Sequence, residues 1–289
     1  MSNTGIIIAE RSRDIGDFLV GRLLPFRKKR MVGPFVFIDH MGPTEITTNY
    51  LDIGQHPHIG LSTLTYLFEG EIMHRDSIGS LQKITPGSVN FMTAGKGVVH
   101  TERTPSELRN GGSHTVHGFQ IWIALPKEKE DMEPTFQHVN ATDLPIWKND
   151  GIQFKLIAGK AYHTESPLTV FSDLFLLELK AEENTQLDLR GKVSGEIGIC
   201  VVDGSITACN EDIAAGNLLV TKEKDQCKLN IHKDTHLLIF GGKPFEEERH
   251  IFWNFVSSER DKIEKAKTRW KSGKFKMIPE EKGFIKMPE

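Results

Sequence analysis

The stretch that decides the fold reads HPHIGLSTLTYLFEG and runs from His56 to Gly70. Two histidines spaced i, i+2 open it, and the run from Leu61 to Phe68 ends where Glu69-Gly70 turns the chain. Short segments of this kind, bounded by turn residues and without a helical period, predict β-strands. Because side chains alternate between the two faces of a strand, His56 and His58 point the same way.

A second pair with the same spacing, His100-Thr101-Glu102, follows about forty residues later. Two adjacent strands with these pairs on one face would bring three imidazoles and one carboxylate together. The interior of a small β-barrel can hold one cofactor, and this ligand set suits iron, manganese, nickel, copper or zinc. On a six-coordinate metal it leaves two open positions, which is typical of a reactive site. Ordinary surface or core histidines are the competing interpretation, and the paired spacing favours the metal.

Other histidines compete for the metal site. His74-Arg75-Asp76 has the same spacing and is interpreted as a polar strand or turn, with a supporting role behind the ligands as the alternative. His232 and His236 are spaced as in a helical metal site, but their segment has the pattern of a strand. His114 and His117 are interpreted as pocket-rim or structural residues. His40, which follows Ile38-Asp39, could be buried near the site and stays an open candidate.

Short predicted strands separated by turn residues occur in both halves of the chain. A chain of 289 residues suggests two domains. The charged segment from Lys127 to Asp131 carries no strand pattern, and buried-strand candidates resume near Ile152. We therefore expect an all-β protein with two β-barrel domains, at residues 1–140 and 141–289.

One helix is predicted near the C-terminus, from Ser258 to Lys271. Ser258-Glu259-Arg260-Asp261 has the form of a capping box with Asp in place of Glu. Apolar residues then follow at helical spacing as far as Trp270, and Gly273 is suited to the position after the helix end. We expect this helix to pack on the first domain.

Composition excludes several classes of protein. Hydrophobic residues make up 38% of the chain, charged residues 26%, and the formal net charge is −3, so no field recruits nucleic acid or anionic lipid. The basic run from Arg27 to Arg30 is interpreted as a solvated loop. No segment approaches the ~20 apolar residues that cross a bilayer.

An odd number of cysteines without a CxxC pair favours reduced thiols and a cytoplasmic location: Cys200, Cys209 and Cys227.

The sequence resembles the pirin family over nearly its whole length. The central motif includes the segments His56–Tyr66, His74–Ser77, Met92–Gly97 and His100–Glu102, together with Gly70, Gly79 and Pro86-Gly87. Further similarity lies upstream, downstream and near the C-terminus: Phe37–Pro43, His117–Pro126 and Phe252–Ser258.

The resemblance implies a bicupin, two double-stranded β-helix barrels followed by a C-terminal helix. It places one divalent metal, Fe(II), in the first barrel, with manganese, nickel, copper and zinc as alternatives. The family's ligands match His56, His58, His100 and Glu102, and the second barrel is expected to lack metal.

Two functions follow from the resemblance. The first is a dioxygenase of the quercetin 2,3-dioxygenase type, acting on a small aromatic, flavonol-like substrate with Glu102 as catalytic base. The alternative is a metal- or redox-responsive binding protein that regulates a transcription factor or a metabolic enzyme. In either case we expect a monomer that contacts neither nucleic acid nor membrane.

Overall fold

The computed structural model describes residues 5–15, 19–47, 50–109, 113–208, 210–221 and 228–289. Cys209 and Cys227 lie outside the described residues. Within them, strands dominate and one α-helix lies near the C-terminus, which confirms the predicted all-β fold class.

The first strands are β1 (Ile6–Ala9), β2 (Arg11–Asp14), β3 (Leu19–Leu24), β4 (Phe35–Ile46), β5 (Asp52–His58), β6 (Leu61–Glu69), β7 (Ile72–Asp76), β8 (Leu81–Ile84), β9 (Val89–Thr93), β10 (Val98–Arg103), β11 (His114–Ala124) and β12 (Thr135–Val139). Short 3-10 helices connect some of the strands: Ser106–Leu108, Lys127–Lys129 and Ala141–Asp143.

The later elements are β13 (Ile146–Asn149), β14 (Ile152–Ala161), β15 (Thr164–Glu165), β16 (Leu174–Ala181), β17 (Thr185–Leu187), β18 (Glu196–Asp203), β19 (Ser205–Ala208), β20 (Glu211–Ala214), β21 (Asn217–Val220), β22 (Leu229–Ile231), β23 (His236–Gly242), β24 (His250–Phe252), β25 (Phe255–Ser257) and α1 (Arg260–Lys271).

Each half of the chain builds a large and a small antiparallel sheet. The N-terminal barrel has a seven-stranded sheet, β12-β9-β6-β11-β4-β3-β2, and a four-stranded sheet, β5-β10-β7-β8. The C-terminal barrel has the order β1-β21-β18-β23-β16-β14-β13, with β15 on β14, and a small sheet β17-β22-β19-β20. Apolar residues from both sheets of the C-terminal barrel form one buried core.

The described chain divides into two compact units, and each terminal segment belongs to the unit of the opposite half of the chain. One consists of Met1–Arg11, Gly21–Phe37 and Thr142–Phe245, and contains the C-terminal barrel. The other consists of Ser12–Val20, Ile38–Ala141 and Glu246–Glu289, so the helix belongs with the N-terminal barrel. The expected domain limits, 1–140 and 141–289, are not decided by this division and stay a prediction.

Helix α1 packs on the N-terminal barrel, as expected. Its buried face, Ile263, Ala266 and Trp270, joins a cluster that contains Ile59 and Val99 of that barrel. No helix among the described residues has the length and apolar character needed to cross a membrane.

The predicted capping box is not formed. The helix begins at Arg260, and no side chain caps its first turn. The backbone N–H of Ser258 donates instead to the buried carboxylate of Glu130, at 2.7 Å, and the Ser257 hydroxyl donates to the same carboxylate. Glu130 therefore fixes the entry to the helix, a long-range contact that the local pattern does not contain. At the other end, Gly273 has φ +64°, which suits the predicted position after the helix end.

The basic run and Cys200 agree with what the sequence predicts for them. Arg27, Lys28 and Arg30 are exposed, and the Lys29 ammonium is bonded to the Glu196 carboxylate, as in a solvated loop. Cys200 is a buried free thiol in β18, and burial raises its pKa well above the usual range. Such a thiol is an inert core residue.

Candidate metal centre

Three histidines converge inside the N-terminal barrel. Strand β5 carries His56 and His58, and β10 pairs with it antiparallel so that His100 lies opposite His56. All three side chains are buried, with exposed fractions of 7%, 1% and 0%. One ring nitrogen from each lies within 4.8 Å of the others, so the three imidazoles could bind one metal ion.

The chain folds sharply around these strands. Gly60, between β5 and β6, has φ +68°, and a Cβ there would lie 1.9 Å from the carbonyl oxygen of Val256. Only glycine fits this turn, and the close approach lets the C-terminal segment run along β5. The Ile59–Phe255 bridge continues that contact beside the histidines.

The outer nitrogen of each imidazole has a partner. His56 Nδ1 lies 2.8 Å from the Gly54 carbonyl oxygen, and His58 Nδ1 lies 3.2 Å from that of Asn254. His100 Nδ1 lies 3.4 Å from Nδ1 of His74. Carbonyl oxygens only accept hydrogen bonds, so His56 and His58 carry a proton on Nδ1 and present the Nε2 lone pair inward.

Burial keeps these imidazoles neutral. It lowers the pKa of His56 to about 4, and it lowers the pKa values of His58 and His100 well below the usual range, because an imidazolium loses its hydration there. Neighbouring histidines act in the same direction. Neutral imidazoles with free lone pairs are the form that binds metals.

Glu102 lies in the same barrel but is held by other side chains. Its carboxylate accepts hydrogen bonds from Gln120 Nε2, at 3.0 Å, and from the Thr65 hydroxyl, at 3.4 Å. Burial raises the pKa of Glu102, while a positive charge on His74, present only when that ring is protonated, and these two hydrogen bonds act against the rise. The structure unites the three histidines, and Glu102 as fourth ligand and catalytic base stays a prediction.

The N-terminal barrel buries polar as well as apolar groups. Thr65 and Gln120 contact the Glu102 carboxylate, and the Trp122 ring packs edge-on against His58 at 5.0 Å. A separate apolar cluster consists of Val20, Met41, Ile46, Leu51, Leu67, Ile72, Ile84 and Val116.

The competing histidines do not join the cluster. His232 Nε2 lies 3.2 Å from the Thr207 hydroxyl, and His236 Nε2 lies 2.9 Å from the Glu178 carboxylate. His236 begins strand β23, as its sequence pattern predicts, so the two histidines do not lie on a helix, which the i, i+4 metal site would require. The Nε2 atoms of His40 and His117 lie 3.0 Å apart, and His40 stacks on Phe119. His114 begins β11.

Sequence reasoning missed three groups that contact His58 or Glu102. Asn254 acts through its backbone carbonyl, which leaves no trace in residue type. Thr65 and Gln120 lie within strands β6 and β11, and both contact the Glu102 carboxylate. Polar residues at alternate positions of a strand were the available signal.

Comparisons with known proteins agree with this arrangement. The pirin family model matches residues 18–123, and the model of the pirin C-terminal cupin domain matches residues 176–276. A pirin-like protein of Caulobacter vibrioides is 40% identical over 289 residues, covering 98% of this chain and 99% of the relative. The chain belongs to the pirin family. Its two barrels are the two cupin domains of that family.

Two solved structures resemble this pirin. A crystal structure of quercetin 2,3-dioxygenase from Acinetobacter baumannii has a TM-score of 0.89 and 35% identity, covering 99% of this chain and 95% of the other. A bacterial pirin from Escherichia coli, solved in complex with nickel(II), has a TM-score of 0.66 and 20% identity, covering 83% of this chain and 99% of the other. The second likeness concerns the fold alone.

Proposed function

We propose that this pirin is an Fe(II)-dependent dioxygenase that acts on flavonol-like substrates, in the manner of quercetin 2,3-dioxygenases. The observation that carries the proposal is the cluster of three buried, neutral imidazoles in the N-terminal barrel. The 35% identity to a protein named quercetin 2,3-dioxygenase supplies the reaction class.

The three imidazoles fit a divalent metal. The Nε2 atoms of His58 and His100 lie 3.1 Å apart. Two metal–nitrogen bonds of about 2.1 Å at a right angle would separate the nitrogens by about 3.0 Å. The absence of thiolates from the cluster argues against a structural zinc knot, and imidazole nitrogen suits iron, nickel, copper and zinc.

The residues around the cluster suit proton removal from an enolic substrate. A bound Fe(II) would supply Lewis-acid stabilisation for the substrate's enolate oxygen. Glu102 would accept the proton of the flavonol 3-hydroxyl, and burial makes its carboxylate a stronger base by raising its pKa. Gln120 and Thr65 would hold the carboxylate in place. The buried imidazoles and Trp122 would keep bulk water from the reactive enolate.

The decisive experiment is oxygen uptake with quercetin by protein loaded anaerobically with Fe(II). We expect turnover that requires both metal and protein, with rates expressed per bound iron. His56→Gln should lose metal and activity together, while His236→Gln in the C-terminal barrel should keep both. Iron-loaded wild type that consumes no more oxygen than iron in buffer would contradict the proposal and favour the binding-protein alternative.

A further inference from the structure

The turn after β7 holds a carboxylate in a fixed orientation. Asp76 Oδ1 accepts hydrogen bonds from the backbone N–H groups of Ile78, Gly79 and Ser80, at 3.1, 3.0 and 2.8 Å. Gly79 has φ +109°, a conformation that other residues rarely adopt. The second oxygen, Oδ2, lies 3.2 Å from His74 Nε2. Both side chains are buried.

The turn is also fastened to the strand of His100. The Ser77 N–H donates to the Val99 carbonyl oxygen, and the Val99 N–H donates to the Ser77 hydroxyl. Across the sheet, His100 pairs with Asp76 and Glu102 pairs with His74. The His74 ring stacks on Phe136 at a centroid distance of 4.7 Å. The three groups Asp76, His74 and His100 therefore form a rigid chain.

Donor and acceptor rules fix the protons along this chain. An ionised carboxylate only accepts, so the His74 nitrogen that faces Asp76, Nε2, carries a proton. A metal bound to His100 Nε2 would take the lone pair of that nitrogen, so His100 would carry its proton on Nδ1 and donate it to His74 Nδ1, 3.4 Å away. His74 would then be neutral. Without a metal, the 3.1 Å contact between the Nε2 atoms of His100 and His58 requires a proton on His100 Nε2, because His58 carries its proton on Nδ1.

We propose that Asp76 and His74 are positioning residues that hold His100 in its Nδ1–H tautomer and aim its Nε2 lone pair at the metal. The proposal rests on the metal site of the proposed function. His100 differs from the other two ligands, because His56 and His58 donate to backbone carbonyls. Its tautomer therefore depends on side chains and is open to substitution.

The first test reads the tautomers directly. Nitrogen NMR of the imidazoles in full-length protein loaded with diamagnetic zinc(II), at pH 8, should show His74 protonated on Nε2 and His100 protonated on Nδ1. This readout requires no activity. A His74 protonated on Nδ1, or a His100 without a proton on Nδ1, would overturn the proposal.

The second test changes one atom of the chain. Asp76→Asn keeps the oxygen that accepts from the turn, and it replaces Oδ2 with an amide donor facing His74. His74 should then carry its proton on Nδ1, where it opposes the Nδ1–H that a metal-bound His100 needs. Nickel(II) affinity should therefore fall by about 10- to 100-fold, as for other partners of metal-binding histidines. Unchanged affinity would overturn the proposal.

Variants of His74 separate positioning from packing. His74→Asn keeps an acceptor near Nδ1 and should retain more nickel(II) affinity than His74→Leu, which fills similar space without an acceptor. The matched control is His138→Gln, since His138 pairs with Asn90 in the same barrel. Its affinity should stay within about two-fold of wild type. Equal losses in both His74 variants would mean a purely structural role.

The proposal and the proposed function fail differently. If wild type binds neither nickel(II) nor Fe(II), there is no metal site, and the contacts from Asp76 through His74 to His100 then have no metal to serve, whatever the tautomers are. Wild type that binds metal but does not turn over quercetin removes the dioxygenase alone, and the affinity series then still decides the role of Asp76 and His74.

Discussion

The small sheets of the two barrels have the same strand order, but their corresponding strands bury different side chains, polar in one barrel and apolar in the other. β5-β10-β7-β8 in the N-terminal barrel corresponds by position to β17-β22-β19-β20 in the C-terminal barrel, and the chain enters the large and small sheets in the same sequence. The first two strands carry His56, His58 and His100 in one barrel. In the other they carry the buried side chains Leu187, Leu229 and Ile231.

The two interiors differ in the side chains that they bury. Leu187, Leu229 and Ile231 belong to a continuous apolar core built from both sheets, so the C-terminal barrel uses its interior for packing. Fully burying such a side chain contributes roughly 1.5–3 kcal/mol. In the N-terminal barrel the same strands bury imidazoles, which cost desolvation energy and add little packing. A metal that binds only the folded state would offset that cost.

The largest effect is expected when the N-terminal barrel is given apolar side chains like those of the C-terminal barrel. In the double variant His58→Leu/His100→Leu, nickel(II) binding should be lost, because a single imidazole of the cluster remains. Calorimetric titration measures the loss. Without metal, the variant should melt no lower than metal-free wild type, since leucine removes buried polar groups. Retention of one tightly bound nickel per chain would show that the cluster is not the metal site.

A smaller change removes only the anion beside the cluster. Glu102→Gln keeps the size and one oxygen of the side chain, and quercetin turnover per bound iron should fall by about 10²–10⁴-fold, the usual contribution of a general base. Metal content must be matched, because the variant should also bind iron more weakly. Equal rates per iron in the variant and wild type would remove Glu102 from the reaction.

In the C-terminal barrel the corresponding change should affect stability alone. Leu229→Ala leaves a cavity in the apolar core and should lower the free energy of unfolding by about 2–5 kcal/mol. Urea denaturation measures the loss. Nickel(II) stoichiometry at saturation should remain that of wild type. A variant that folds and yet loses the metal would contradict the separation of roles between the two interiors.

The sequence contained the strands and the histidine cluster because both follow local rules. Alternation along a strand was enough to place His56 and His58 on one face, and the second pair lay on the neighbouring strand. The supporting contacts depend on distant segments. Glu130 replaces the expected cap of Ser258, and the Asn254 carbonyl, nearly two hundred residues away, contacts His58. Backbone acceptors and long-range carboxylates have no spacing signal.

His74 shows that the i, i+2 spacing alone cannot distinguish a metal ligand from a supporting residue. Its i, i+2 relation to Asp76 equals that of the two candidate ligand pairs, yet its Nε2 faces the Asp76 carboxylate. The pairing of β7 with β10 selects between the two roles, because it places His74 opposite Glu102 and Asp76 opposite His100. That register is a property of the folded sheet.

A further expected effect is a pH dependence of stability that arises from the buried histidines of the N-terminal barrel. Burial lowers the pKa of His56 to about 4, so between about 6.5 and 4 the unfolded chain binds more protons than the folded one. Metal-free stability should therefore be complete above about pH 6.5 and fall as the pH drops, by about 3 kcal/mol for His56 alone. Urea midpoints at pH 7.5, 6.0 and 5.0 measure the slope.

The double variant His58→Leu/His100→Leu supplies the control for that slope. The pKa values of His58 and His100 are lowered in the same direction by burial, so removing both imidazoles should make the midpoint less dependent on pH. Bound nickel(II) should make the wild-type slope steeper, because protons compete with the metal for the same nitrogens. Parallel slopes in wild type and variant would mean that these imidazoles do not set the acid sensitivity. The contrast between the polar and apolar interiors would then lie in metal binding alone.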